Sequence, residues 1–107
     1  MYLEKLDIQG FKSFANKNTL VFPAGDKGKK GITVIVGPNG SGKSNTADAV
    51  RWVLGEQSMK TIRAKTGEDV IFSGSSSKGQ LGMAEVSLFL NNEDGQAPID
   101  FSQIVIT

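Results

Sequence analysis

The chain has 107 residues, with no cysteine and no histidine, and sets 12 lysines and arginines against 11 aspartates and glutamates. That length gives room for one small domain with a thin core. The missing residue types exclude a disulfide framework, a thiolate zinc site and Ser–His or Cys–His catalysis, and a net charge of +1 excludes a strongly basic nucleic-acid coat or an acidic tail.

The N-terminus has no long apolar stretch of the signal-peptide kind, and no apolar run approaches the roughly 18 residues of a membrane span. The reading is of a soluble, cytoplasmic chain with no membrane partner. Residues 2–9 end in an alternation that turns Leu6 and Ile8 inward, which predicts a half-buried strand. Residues 10–14 follow as a turn. Residues 19–22 predict a second short strand closed by Pro23, and residues 24–31 a loop rich in glycine and charge. Within it, Lys27, Lys29 and Lys30 read as a solvated turn.

Residues 32–36 (Ile-Thr-Val-Ile-Val) are a nearly continuous β-branched run. Such a run suits a strand covered on both faces, as in a parallel sheet. Ala47, Val50, Val53 and Leu54 share one face of a predicted helix over residues 43–54, and Gly55 is placed to end it. Residues 56–69 read as polar and irregular, 70–72 as a short apolar run, and 73–82 as a mobile Ser/Gly loop. Residues 84–90 predict a strand with Val86, Leu88 and Leu90 on one face, and residues 91–97 a hairpin-like turn. Residues 99–107 predict a last strand whose alternation slips between Phe101 and Ile104, implying a bulge. This uncapped last strand predicts that the chain is a piece of something larger.

Between the predicted strand at 32–36 and the helix stands Gly37-Pro38-Asn39-Gly40-Ser41-Gly42-Lys43-Ser44, which fits G-x-x-x-x-G-K-[ST] throughout. Glycines let successive backbone N–H groups aim at phosphates, and the helix adds its positive N-terminal end. Lys43 is placed to reach the β- and γ-phosphates of a nucleoside triphosphate, Ser44 to ligate Mg²⁺, and Asn45 to lie beside the α-phosphate. A chance match would not predict a strand before and an amphipathic helix after. Asn39-Gly40-Ser41 also fits a glycosylation sequon, read as coincidence in such a loop.

The motif, running on to Asn45, is one of five blocks in order: Phe11-Lys12-Ser13-Phe14, the run from Gly37 to Asn45, Arg51-Trp52-Val53-Leu54-Gly55-Glu56-Gln57-Ser58, Asp69-Val70-Ile71-Phe72-Ser73-Gly74-Ser75, and Ala84-Glu85-Val86. In this order the chain resembles, over roughly residues 1–91, the N-terminal head segment of the structural maintenance of chromosomes (SMC) ATPases. It is most similar to their bacterial chromosome-condensing members, although the loop at 24–30 is longer than is usual there. The resemblance implies an α/β half-domain of the P-loop NTPase, ABC-type class, with a mixed sheet and a P-loop helix. It implies ATP and Mg²⁺ as cofactors, and a nucleoid-associated role in chromosome condensation and segregation. Residues 1–107 would be the N-terminal part of a head built from both ends of a long coiled-coil protein. The implied partners are the C-terminal half of the same head, a second head in a homodimer, a kleisin-type subunit and double-stranded DNA.

By the same resemblance, Lys12, Ser13 and Phe14 lie near the adenine and ribose. Gly37, Pro38, Asn39, Gly40, Ser41, Gly42, Lys43, Ser44 and Asn45 bind the nucleotide, with Ser44 also the metal ligand. Lys43 and Arg63 act in catalysis. Arg63, in Thr61-Ile62-Arg63, resembles the family's arginine loop, which links DNA contact to ATPase activity. Lys60 and Lys65 flank it, a cluster able to hold a DNA backbone without reading sequence. Plainer readings stand beside these: Phe14 and Trp52 as core, Lys12 as a solvated charge, and the 60–65 cluster as a solvated loop. The general base and the Mg²⁺-contacting glutamine are not supplied here. Glu56, Glu68 and Asp69 read as solvated loop carboxylates, and Gln80, Gln96 and Gln103 lack the context. The segment alone is therefore expected to bind ATP without meaningful turnover. Other classes fit less well. Phe11–Phe14 and Leu54–Ser58 speak against an ABC-type transport motor, and a repair ATPase matches the later blocks less well. A small nucleotide kinase would need an acceptor site and a lid that are not seen. A half-domain that only binds ATP is plausible for this segment alone.

Overall fold

A computed structural model of the chain describes residues 1–25, 31–38, 42–56, 58, 60–61, 64 and 66–107. Four strands form the sheet: β1 (Tyr2–Gln9), β2 (Asn18–Val21), β3 (Glu85–Asn91) and β4 (Gln103–Ile106). Their order is β2-β1-β3-β4, and each pairing is antiparallel. One helix, α1 (Lys43–Val53), packs on β3, as the α/β reading expects.

The alternation in β1 and β3 explains the core. Leu6 stands opposite Leu20 on one side and Leu88 on the other, and Ile8 stands opposite Val86. Leu6, Ile8, Val86 and Leu88 therefore share one face of the sheet. Ala49 from α1, together with Phe11 and Val70, closes the cluster from above. Each large aliphatic side chain buried this way contributes about 1.5–3 kcal/mol.

The buried face of α1 is the expected one only in part. Ala47 is exposed and Leu54 is 62% exposed, while Thr46, Asp48 and Ala49 are buried. Val50, Trp52 and Val53 pack partly against the core. The small Ala49 is fully buried in the cluster against the sheet, while Ala47 and Leu54 lie outward. Gly55, at φ 94, ends the helix as expected.

The expected strand at 32–36 is not formed. Residues 31–38 are all exposed, with Ile32 at 89%, Val34 at 74%, Ile35 at 42% and Val36 at 84%. Among the described residues no strand lies beside this run, so the parallel component of the mixed sheet is missing. The loop before it closes at its base: a Cβ on Gly31 would lie 2.8 Å from the Pro23 carbonyl oxygen and 2.9 Å from the Gly25 nitrogen. Residues 26–30, including Lys27, Lys29 and Lys30, lie outside the described residues.

The last strand is shorter than expected, and the expected bulge is absent from it. Asn92, 3% exposed, turns the backbone of residues 97–101 toward itself. Its Nδ2 donates to the carbonyls of Ala97 at 3.2 Å, Ile99 at 3.2 Å and Phe101 at 3.0 Å. Those bonds wrap residues 97–101 around Asn92, and pairing with β3 starts only at Gln103. The register shift falls instead in β1, between Leu3 and Lys5. At this point the Glu4 carboxylate accepts bonds from Asn91 Nδ2 and Gln103 Nε2, both at 2.8 Å. Those bonds, Asn91 first, hold the Glu4 carboxyl below its ordinary pKa. Among the described residues no helix is long and apolar enough to cross a membrane.

Candidate functional site

The site is built on the N-terminus of α1. Gly42 is its cap residue, at φ 98 and ψ 2, a left-handed conformation that glycine adopts without strain. Among the described residues no side chain caps this end, and the first turn carries no acidic residue. The positive end of the helix dipole is thus left for an anion. Lys43 and Ser44 open the first turn, Lys43 half-buried and Ser44 exposed. Gly37 and Pro38 lead into the loop and are exposed, whereas Asn39, Gly40 and Ser41 lie outside the described residues.

The 11–14 turn lies against this helix end. Phe11 and Phe14 form an isolated bridge, and the Phe14 N–H donates to the Phe11 carbonyl at 2.8 Å. Three successive turn residues then meet three helix positions spaced by three. A Cβ on Gly42 would lie 3.4 Å from the Phe14 ring. Asn45 Nδ2 donates to Ser13 Oγ at 2.9 Å. Lys12 Nζ pairs with Asp48 Oδ2 at 2.7 Å. Positions 42, 45 and 48 fall on one face of a helix.

Lys12 is therefore not a solvated charge: its side chain is 11% exposed, and that of Asp48 is 1% exposed. Arg51 approaches the other oxygen of Asp48 at 3.2 Å. Phe14 is at once partly buried against the core and in contact with the helix cap. Asp48 escaped the sequence reading. Its signal was an acid on an amphipathic helix, three residues after Asn45 and three before Arg51.

Magnesium fits the donors present. Among the described residues no group of three or more acids could cage a metal ion. Mg²⁺ needs no such cage, because it is commonly held by one or two protein oxygens, substrate phosphates and water. The exposed Ser44 hydroxyl meets that need.

Lys60 is exposed, while Arg63 and Lys65 lie outside the described residues. Glu56 accepts the Ser58 N–H at 2.8 Å. Glu68 is exposed, and Asp69 closes a capping box with Thr66 on the 3-10 turn Gly67–Val70.

The family described as RecF/RecN/SMC N terminal domain matches residues 2–107. The chromosome partition protein Smc of Desulfitobacterium hafniense (strain Y51) is 54% identical over 107 residues, which is 100% of this chain and 8% of that protein. An Smc head bound to the C-winged helix domain of ScpA superposes with a TM-score of 0.89 at 45% identity, over 98% of this chain and 31% of that one. A structure from work on ATP-driven dimerization and DNA-stimulated activation of SMC ATPases gives a TM-score of 0.87 at 43% identity, over 98% of this chain and 60% of that one. The chain thus spans about 8% of the length of the curated relatives it matches.

Proposed function

Because the chain belongs to the structural maintenance of chromosomes (SMC) family, we propose that it forms the N-terminal part of an ATP-binding SMC head of the P-loop NTPase class. The observation behind this reading is the G-x-x-x-x-G-K-S run at the N-terminus of α1, with the 12–14 turn fixed beside it. The backbone N–H groups of the Gly37–Ser44 loop, Pro38 excepted, cradle the phosphates. Lys43 draws in the β- and γ-phosphates, and Asn45 lies beside the α-phosphate. Ser44 holds Mg²⁺, which offsets phosphate charge when bound. Lys12, Ser13 and Phe14 border the nucleoside.

The general base and the rest of the metal environment come from the C-terminal half of the head. The exposed run Ile32–Val36 supports such a partner. Its Ile32, Val34, Ile35 and Val36 side chains are exposed, and fully burying each would contribute about 1.5–3 kcal/mol. In the whole protein, ATP brings two heads together and hydrolysis separates them, organising DNA for condensation and segregation in the bacterial nucleoid. A kleisin-type subunit binds the head, in keeping with the ScpA-bound neighbour. Arg63, with Lys60 and Lys65, links DNA contact to turnover.

The test is ATP hydrolysis by the full-length protein and by residues 1–107 alone. Full-length protein should hydrolyse ATP, and Lys43→Ala should slow it about 100-fold, the scale of removing one transition-state donor. The 107-residue chain should bind ATP without turnover. A full-length Lys43→Ala variant with the parent rate would overturn the reading. Turnover by residues 1–107 that Lys43→Ala abolishes would overturn the division between the halves.

A further inference from the structure

We propose that Asp48 is a positioning residue that locks the Phe11–Phe14 turn onto α1 and so sets the nucleoside side of the site; this rests on the nucleotide-binding reading above. Asp48 is the one fully buried carboxylate among the described residues. Both its oxygens are engaged by cations, Oδ2 by Lys12 at 2.7 Å and Oδ1 by Arg51 at 3.2 Å. A buried carboxylate with this geometry is costly to leave unpaired, so it fixes the groups around it.

Lys12 is the only described non-glycine residue with positive φ, at 49°. That conformation costs roughly 1–2 kcal/mol and persists only where surrounding contacts over-determine it. Here they do. The Lys12 N–H donates to the Val70 carbonyl at 2.6 Å, and the Lys12 side chain is held by Asp48. With Lys12 fixed, Ser13 falls beside Asn45 and the Phe14 ring beside Gly42. Core packing alone does not call for a carboxylate at position 48, since an apolar residue would fill the space without needing two cations. The arrangement serves to hold the turn at the phosphate end of the helix.

The lock acts on the nucleoside side and leaves the phosphate cradle intact. Binding of ATP and of inorganic tripolyphosphate to the full-length protein separates the two. Asp48→Asn keeps the shape and removes the charge, and it should weaken ATP about 10-fold while leaving tripolyphosphate within about 2-fold. Lys12→Met leaves Asp48 paired with Arg51, so it serves as a second variant should Asp48→Asn fold poorly, with the same split expected. The double variant should bind ATP no more weakly than the poorer single, because both remove one coupling. Equal loss of both ligands, loss of tripolyphosphate alone, or no loss of either would overturn the positioning role and leave the phosphate-loop reading intact. Parent protein that binds neither ligand would overturn both.

Discussion

Gly10 marks where β1 must turn into the nucleotide-side segment. It sits at φ 66, and a Cβ there would run into the Met83 carbonyl oxygen. Its own carbonyl accepts the Phe72 N–H at 2.7 Å, which anchors the buried Phe72. Gly10→Ala should therefore destabilise the fold by about 2 kcal/mol or more, read as a lower urea midpoint with unchanged slope. Glu4 acts in a different way, through charge. Its carboxyl is held below the ordinary value by Asn91 and Gln103, so its contribution is present at neutral pH and lost as pH falls through the folded-state pKa. The melting temperatures of wild type and Glu4→Gln should differ at pH 7 and converge well below about pH 4.3, the ordinary glutamate value. A gap that stays constant with pH would show that Glu4 contributes no charge-dependent stability. The N-terminal ammonium on Asp94 lowers that carboxyl too and adds to the same acid loss.

At the scale of elements, legibility followed sequence distance. The period-2 alternation of β1 and β3 reads directly, because a half-buried strand writes its two faces into neighbouring residues. The phosphate-loop proposal rests on the same kind of local signal, a contiguous run of eight residues. The helix end reads from Gly55. The short extent of β4 does not, because Asn92 imposes it by side-chain bonds to carbonyls up to nine residues away. Asp48 does not read either, since its partner Lys12 lies 36 residues earlier. The buried arc of α1 was hidden because apolar residues occupy more than one arc of the helix. Only its neighbour, β3, decides which arc is buried.

At the scale of the whole molecule, residues 32–36 hold the clearest lesson. Composition tells what surroundings a segment favours, and this one favours burial on both faces. Whether those surroundings exist depends on strands elsewhere, and the sheet among the described residues is already filled by four antiparallel strands. The result is an apolar run leading straight into the glycine-rich 37–44 segment with no strand among the described residues beside it. In our account a completing half-head supplies the strand, the general base and the metal's remaining neighbours, and the P-loop supplies the phosphate cradle. The cradle is therefore the central claim. It is tested most directly by titrating the full-length protein with a non-hydrolysable ATP analogue, with Mg²⁺ and with chelator. The account predicts saturable binding that weakens without Mg²⁺ and falls at least 10-fold in Lys43→Ala. Binding of equal strength in Lys43→Ala, or no binding by the parent protein, would contradict it.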